Sequence, residues 1–255
     1  MIGWRIDPMR AIAAAAAFLT LVASAQAADG SQCYVPQFMT EPGAPLQRVT
    51  ESVKRDGTLS ILLLYGSPSQ TGGMKGLRSY PVYLENALRE RLPGVDVKLE
   101  IRAKARQSVG ELLPLLPKLL DEIKPALVVW QVGTVDTFRQ SDIEAFGQNL
   151  RQGIAAITER GADAVLVDMQ YSPRTDHLLD YASYLTEIRD SSDASQAPLF
   201  DRYEIMRYWN VAGSFDLTSL KDDGLYEKIH ICIGDLLADF ILRGAGLRED
   251  KGIGG

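Results

Sequence analysis

Short apolar runs alternate with amphipathic stretches along most of this chain, starting at residue 58. The runs are TLSILLLYG (58–66), VDVKLEIRA (95–103), ALVVWQVG (126–133), DAVLVDMQY (163–171) and APLFD (197–201). Strands that alternate with helices form parallel βαβ units, because a parallel strand pair needs a long crossover connection. The sequence therefore predicts an α/β fold, namely a three-layer αβα sandwich with a five-stranded parallel sheet.

The stretches between these runs have apolar residues at helical spacing. Helices are predicted for residues 80–92, 108–123, 141–161, 176–190 and 229–244. The helix at 141–161 has the clearest boundaries, because Ser141 and Glu144 fit a capping box and Gly161 fits a helix end.

The two ends of the chain differ in composition from the middle. Residues 1–27 combine Arg5 and Arg10 with an Ala-rich apolar run and the small-residue sequence AQA (25–27), which predicts a cleaved signal peptide. An uncleaved anchor is the alternative. We expect a periplasmic or secreted protein with no membrane span after cleavage. Residues 28–56 are predicted to be an extended segment, 57–245 the folded domain and 246–255 a flexible tail.

Charge and residue types exclude several classes of function. The formal net charge is −6, the pI is about 5.1 and there is no long basic run, so we expect no nucleic-acid partner. The two histidines are far apart, and no Cys-x-x-Cys or His-x-x-x-His pattern occurs, so neither a metal nor another cofactor is expected. In an oxidising compartment Cys33 and Cys232 can form a disulfide; two unpaired thiols are the alternative.

The loop that follows the first apolar run contains the segment LYGSPSQTGG (64–73). Ligands of parallel α/β sheets bind beyond the carboxyl ends of the strands, which makes this loop a candidate site. It lacks the spacing of a P-loop and of a G-x-G-x-x-G turn, and it lacks the G-x-S-x-G elbow of lipases. A serine nucleophile is the remaining catalytic interpretation; a turn with no catalytic role is the alternative.

Three short blocks, in order along residues 57–245, resemble those of the SGNH/GDSL hydrolases. They are SQTGG (69–73), GTVD (133–136) and DGLY (223–226), where the family has G-D-S-x-T, G-x-N-D and D-x-x-H. The resemblance implies a flavodoxin-like fold and ester hydrolysis, with Ser69 as nucleophile and Asp223 in the triad. Ser67 is a second candidate for the nucleophile.

The remaining positions of the catalytic set depart from the family pattern. The resemblance implies an oxyanion hole formed by the N–H groups of Ser69 and Ala103 and by an asparagine, but Val135 occupies the asparagine position. Tyr226 occupies the histidine position, and a phenol is a poor base at neutral pH. His230, one helical turn further on, is a possible substitute.

Three functions are compatible with this degenerate set. The first is a catalytically impaired protein that binds a glycan, an acyl ester or a cell-envelope partner in the ancestral cleft. The second is an active serine esterase that uses Ser69 with a relocated base. The third is a structural partner in a cell-envelope assembly. Four further residues have open roles: Trp130, Tyr171 and Trp209 line the cleft or pack beneath it, and His177 lies at a predicted helix start.

Overall fold

Five parallel strands form one sheet in the part of the chain that the structure describes. This computed structural model describes residues 32–67, 79–218 and 223–248. The sheet order is β2-β1-β3-β4-β5, with β1 at Thr58–Ser67, β2 at Asp96–Ala105, β3 at Leu127–Gln131, β4 at Asp163–Val167 and β5 at Leu199–Phe200. The predicted five-stranded parallel α/β fold is confirmed. The order reverses direction between β1 and β3, and open sheets of this kind bind ligands at such a point.

Helices cover both faces of this sheet. Their bounds are α1 Gln47–Glu51, α2 Tyr80–Arg91, α3 Val109–Leu112, α4 Leu116–Ile123, α5 Thr134–Arg139, α6 Ile143–Glu159, α7 Tyr181–Ser195, α8 Arg202–Val211 and α9 Asp223–Gly244. Helix α9 packs against α2, and α6 packs against α7. None of the helices in the described residues combines the length and hydropathy needed to cross a bilayer.

The segment predicted to be extended, residues 28–56, is helical over its second half. Helix α1 continues directly into a π-helical turn, Ser52–Asp56. The segment is held by burial and hydrogen bonding: Val49 is fully buried, and its N–H donates to the Asp163 carboxylate at 2.9 Å. Gly57, with φ of 64°, ends the turn and leads into β1.

Aspartates, rather than the predicted serine, cap the long helices. Asp142 accepts a hydrogen bond from Ala145 N–H at 2.8 Å and begins α6. Ser141 lies one residue before this cap, and its backbone carbonyl accepts a hydrogen bond from the Tyr184 hydroxyl. Asp180 caps α7 in the same way, so this helix begins at Tyr181, and the residues before it form turns.

Two helices, α5 and α8, were not predicted. Helix α5 is short and begins at Gly133, whose φ of 87° few other residues adopt. Helix α8 follows the two-residue strand β5, with Asp201 as its cap. Its buried residues include Arg202, Ile205, Met206 and Trp209, which follow the i, i+3, i+4, i+7 spacing of an amphipathic helix.

Candidate functional site

Three loops meet at the carboxyl end of β1, around Gly66. A Cβ atom added to Gly66 would lie 2.2 Å from the backbone oxygen of Gln107 and 3.1 Å from Cγ2 of Val135. Gln107 follows β2, and Val135 belongs to α5, which follows β3. A glycine is therefore required here by close packing. The carboxyl end of β1, which precedes the first motif block in sequence, therefore lies beside Val135 of the second block.

The predicted nucleophile, Ser69, lies outside the described residues. Ser67, the second candidate, is the last residue of β1, so its backbone belongs to the sheet. Asp223 is the first residue of α9, and the structure does not describe its side chain. The other candidate residues and the described ends of the strands give the geometry that follows.

Ala103, the last residue of the second apolar run, does not end β2 but lies within the strand, paired with Tyr65. The β1–β2 ladder continues to Ser67 and Ala105, beyond the last β1–β3 pair at Tyr65. The N–H of Asp96 donates to Gly57 O, on the β1 side. Because N–H groups alternate in direction along a strand, the Ala103 N–H points to the outer edge of the sheet. It cannot contribute to an oxyanion hole near Gly66.

Val135 presents an apolar side chain at the junction of the three loops and is 5% exposed. The next residue, Asp136, is also buried, and its carboxylate accepts a hydrogen bond from Val109 N–H at 3.3 Å. Burial raises the pKa of Asp136, and the hydrogen bond from Val109 opposes this shift. Asp136 thus joins α5 to the first turn of α3, while the side chain of Val135 itself offers no hydrogen-bond donor.

A cavity of about 10 Å³ lies beside Gly66 and Val135. Two side-chain atoms of its lining residues, Gln107 Nε2 and Thr134 Oγ1, are buried without a hydrogen-bond partner. This volume and these two polar groups suit about one water molecule, which would hydrogen-bond to both.

His230 is buried on α9, with 9% of its surface exposed. Its Nδ1 accepts a hydrogen bond from Tyr80 N–H, 3.1 Å away. Burial, together with the nearby Arg202 charge, lowers the pKa of His230 to about 4. A neutral imidazole has one acceptor and one donor nitrogen, so acceptance at Nδ1 leaves the proton on Nε2. In this state Nε2 cannot take a proton from a serine.

Tyr226 lies one turn before His230, with the two ring centroids 4.1 Å apart. The phenol is half-buried, and this burial raises its pKa above the ordinary value of 10. The residue at the family's histidine position therefore holds its proton more firmly here than a tyrosine in water.

A buried arginine, Arg202, connects the ends of several strands. It donates to Gln131 Oε1 at 3.1 Å and to the Asp168 carbonyl at 2.8 Å, and its guanidinium lies 5.9 Å from the Tyr80 ring centroid. The carboxyl of Asp168 accepts from Tyr203 N–H at 2.9 Å, and burial raises its pKa well above the ordinary value. Sequence analysis missed both residues. Both could have been found from the sequence, because each is a charged residue one or two positions after the end of a buried strand.

The other aromatic candidates are buried, and Trp130 contributes to the lining of the small cavity beside Gly66. Trp130 and Trp209 are at most 2% exposed; Trp209 donates its indole N–H to the Tyr34 carbonyl at 3.1 Å. Tyr171 is 9% exposed and packs edge-on against Tyr203. His177 lies in the turns before α7, rather than at a helix start. Among the described residues no cluster of His, Cys, Asp or Glu has the arrangement of a metal site.

Cys33 and Cys232 form a disulfide, with Cα atoms 5.2 Å apart. The bond joins the start of the described chain to the middle of α9, nearly two turns of helix away from Tyr226. It fixes the segment that precedes α1 against the helix that carries His230.

Comparisons with known proteins agree with this fold. The profile of the non-GDSL lipase-like family matches residues 32–247. An arylesterase of Vibrio mimicus is 31% identical over 113 residues, which are 44% of this chain and 56% of that protein. This chain therefore aligns with little more than half of that relative.

Two solved structures share the fold at low sequence identity. An acetylxylan esterase from Geobacillus stearothermophilus superimposes with a TM-score of 0.57 at 15% identity, over 74% of this chain and 95% of that one. The psychrotrophic esterase EstA from Pseudoalteromonas sp. gives 0.55 at 18% identity, over 72% and 97%. Together with the profile match over most of the chain, this similarity supports the expected resemblance to GDSL-like hydrolases. The protein belongs to the non-GDSL lipase-like family of esterase-like hydrolases.

Proposed function

We propose that the protein is an exported, catalytically impaired family member that binds an acyl ester or an acylated glycan at the carboxyl edge of its sheet. The observation that carries this proposal is the hydrogen bond from Tyr80 N–H to His230 Nδ1. With Nδ1 accepting this bond, the neutral imidazole carries its proton on Nε2, which supports the proposal that His230 does not act as the base for a serine nucleophile. Loss of the histidine from a serine triad costs on the order of a million-fold in rate.

Val135 supports impairment independently of the base. Its buried apolar side chain stands at the sequence position where the resemblance to the family implies an asparagine that donates to an oxyanion. Loss of one such donor typically costs about 100- to 1000-fold in turnover. The two effects need not add, because the triad and the oxyanion hole act as a unit.

The ligand class is proposed from the relatives. Those named above are an arylesterase, an acetylxylan esterase and an esterase, so their names share an ester substrate. We therefore expect small aryl or acetyl esters, including those on a glycan, to bind beyond the ends of β1 and β3. Gly66 and Gln131 lie at the carboxyl ends of β1 and β3, beside the switch in strand order.

Export is proposed from the predicted signal peptide and is supported by the disulfide. Disulfides persist in oxidising compartments and are rare in the reducing cytosol. Mass spectrometry of the protein from its native host tests this step. A mature N-terminus near Ala28 is expected, and an intact Met1 would contradict export with cleavage.

Hydrolysis of p-nitrophenyl acetate tests the impairment. We expect the wild type to match the Ser69→Ala variant, and the double variant Val135→Asn/Tyr226→His to gain activity that Ser69→Ala then removes. The matched control is Val135→Asn/Tyr226→Phe, which restores the amide but supplies no base. Brisk wild-type turnover, lost in both Ser69→Ala and His230→Asn, would instead establish an active esterase with a relocated base.

Binding is measured separately, because slow turnover leaves the ester intact during the experiment. Ligand-observed NMR with phenyl acetate and with acetylated xylo-oligosaccharides should detect binding to the wild type. Competition between the two ligands would place them at one site. Absence of binding by both, in a folded protein, would contradict the ligand half of the proposal.

A further inference from the structure

Strand β2 forms one edge of the sheet, with β1 as its hydrogen-bonded neighbour. It is long, Asp96–Ala105, and its alternate residues from Asp96 to Arg102 are exposed. Ile101 lies on the same face of the strand as the buried Val97, but it is 39% exposed. Edge strands of this length present a row of main-chain groups to other chains unless they are covered.

The direction of the main-chain groups along β2 follows from two contacts. Asp96 N–H donates to Gly57 O, so the even-numbered residues face β1. The odd-numbered residues, Val97, Leu99 and Ile101, therefore direct their N–H and C=O groups outward. The Arg89 guanidinium supports this direction, because it reaches the Val97 carbonyl from the side chain of α2 at 3.0 Å.

The sequence of this edge is self-complementary about Leu99. Reading outward from Leu99, the charges are opposite at equal distances: Lys98 against Glu100, and Asp96 against Arg102. The residues between them, Val97 and Ile101, are both apolar. We propose that β2 pairs antiparallel with β2 of a second copy of this chain, across a two-fold axis at Leu99.

In this register each side chain meets a suitable partner. Lys98 lies opposite Glu100 of the second copy, and Asp96 lies opposite its Arg102; each pair occurs twice by symmetry. Val97 faces Ile101 of the second copy, which covers the exposed apolar side chain. Cross-strand pairs of these types stabilise antiparallel sheets by about 0.2–1 kcal/mol each.

The main chain fits the same register. With Leu99 opposite its own copy, the outward-facing odd residues form the hydrogen-bonded pairs, and the even residues form the others. Each hydrogen-bonded pair exchanges two bonds, so the three pairs formed by Val97, Leu99 and Ile101 give about six. The Val97 carbonyl has a second lone pair and accepts the new bond while Arg89 keeps the first.

Neighbouring symmetric registers are excluded by charge. An axis at Glu100 would place Glu100 opposite itself and Lys98 opposite Arg102. An axis at Lys98 would place Lys98 opposite itself and Asp96 opposite Glu100. Like charges directly opposite one another destabilise a strand pair. The result is one continuous ten-stranded sheet, made from two sheets of five.

The register is tested by cysteine crosslinking of the mature, disulfide-intact protein. Hydrogen-bonded antiparallel partners have Cα atoms about 5.5 Å apart, within disulfide range. Leu99→Cys should therefore give a covalent dimer on mild oxidation. Ile101→Cys is the matched control, since four residues of offset separate the two copies by roughly 14 Å. No crosslink at position 99, or equal crosslinking at both, would overturn the register.

The charge complementarity is tested by sedimentation of wild type and two variants over a wide concentration range. Lys98→Glu and Glu100→Lys each place like charges opposite one another, so each alone should be monomeric where the wild type dimerises. An equimolar mixture of the two variants should dimerise, because each pair then joins a carboxylate of one variant to an ammonium group of the other. Lys118→Glu on α4 changes the net charge away from the edge and should leave the dimer intact. A wild type that stays monomeric at all concentrations, or a mixture that fails to associate, would overturn the proposal.

Discussion

The Nδ1 atom of His230 and the backbone N–H of Tyr80 are joined by a 3.1 Å hydrogen bond across 150 positions of sequence. The bond joins α9 to the first turn of α2, whose N–H groups have no partner within the helix. Tyr80 and His230 are both buried, so the imidazole satisfies a donor that water cannot reach. Because Nδ1 accepts this bond, the neutral ring carries its proton on Nε2.

We predict that His230→Asn loses the acid sensitivity that His230 confers. The pKa of His230 is about 4 in the folded protein, below the value of 6.5 for an unfolded histidine. Between these pH values the unfolded chain binds a proton that the folded chain does not. The contribution of His230 to stability is therefore complete above about pH 6.5 and is lost as the pH falls to about 4, by roughly 3 kcal/mol.

Urea unfolding of the two proteins at several pH values measures this difference. Asparagine supplies an oxygen acceptor for Tyr80 N–H but does not titrate, so the other ionisable groups cancel in the comparison. His230→Ala removes the acceptor as well and should lose a further amount of about 1–3 kcal/mol, the cost of a buried donor without a partner. Parallel pH profiles for wild type and His230→Asn would show that His230 does not titrate as stated.

Asp142, and not Ser141, is predicted to stabilise the start of α6. Replacing Asp142 by Ala removes the acceptor for Ala145 N–H and should cost about 0.5–2 kcal/mol of unfolding free energy. Ser141→Ala is the matched neighbour, and it should change little, because Ser141 engages Tyr184 through its backbone carbonyl. Chemical denaturation of both variants decides between the two caps, and a larger loss at Ser141 would reverse the assignment.

These two caps illustrate how far sequence reasoning reached. The strands were predictable because segments such as Ile61–Leu64 are buried on both faces and are therefore continuously apolar. Helix starts were less predictable, since Ser141 and Asp142 are both good caps and the choice depends on Tyr184, which is distant in sequence. The short helix α5 buries three consecutive residues and leaves no periodicity to read. Helix α8 does have buried residues at helical spacing, and the sequence analysis overlooked it.

Some residues of the candidate site could likewise be predicted from the sequence, and others could not. The motif positions of Val135 and Tyr226 were readable from the sequence, and the structure places Val135 beside Gly66. The role of His230 was not, because its partner is a backbone N–H in another helix. Ala103 was misplaced because the length of β2 is set by its pairing with β1, whose ladder continues past β3.

We predict that removing the Cys33–Cys232 disulfide lowers the free energy of unfolding by at most about 5 kcal/mol. The bond closes a loop over a separation of 199 residues, and long loops lose the most entropy in the unfolded chain. The double variant Cys33→Ala/Cys232→Ala should match the reduced wild type in urea unfolding, and a reductant should not affect it further. Equal stability of the oxidised and reduced wild type would contradict the prediction.

The last prediction concerns two glycines of α6. A Cβ added to Gly153 would lie 2.4 Å from Cη2 and Cζ3 of Trp130, a rigid ring that is 2% exposed. A Cβ added to Gly147 would lie 1.8 Å from Oε1 of Glu187, the end of a flexible side chain. Replacing glycine by alanine improves helix propensity by up to about 1 kcal/mol at both positions. A comparison of the two variants therefore removes this contribution.

Gly153→Ala should therefore destabilise the protein by about 1–3 kcal/mol through overpacking, whereas Gly147→Ala should be close to neutral. At position 147 Glu187 can swing outward at the cost of a partly exposed ion pair with Arg151 and of a hydrogen bond from Ser191, whose hydroxyl keeps its contact with Arg151. Trp130→Phe removes the clashing part of the indole, so the double variant Gly153→Ala/Trp130→Phe should lose less stability than the two single losses add up to. A coupling of about 0.5–3 kcal/mol in the double-mutant cycle is expected from urea unfolding. If the losses simply add, the cost at Gly153 arises from the backbone of α6 and not from contact with Trp130.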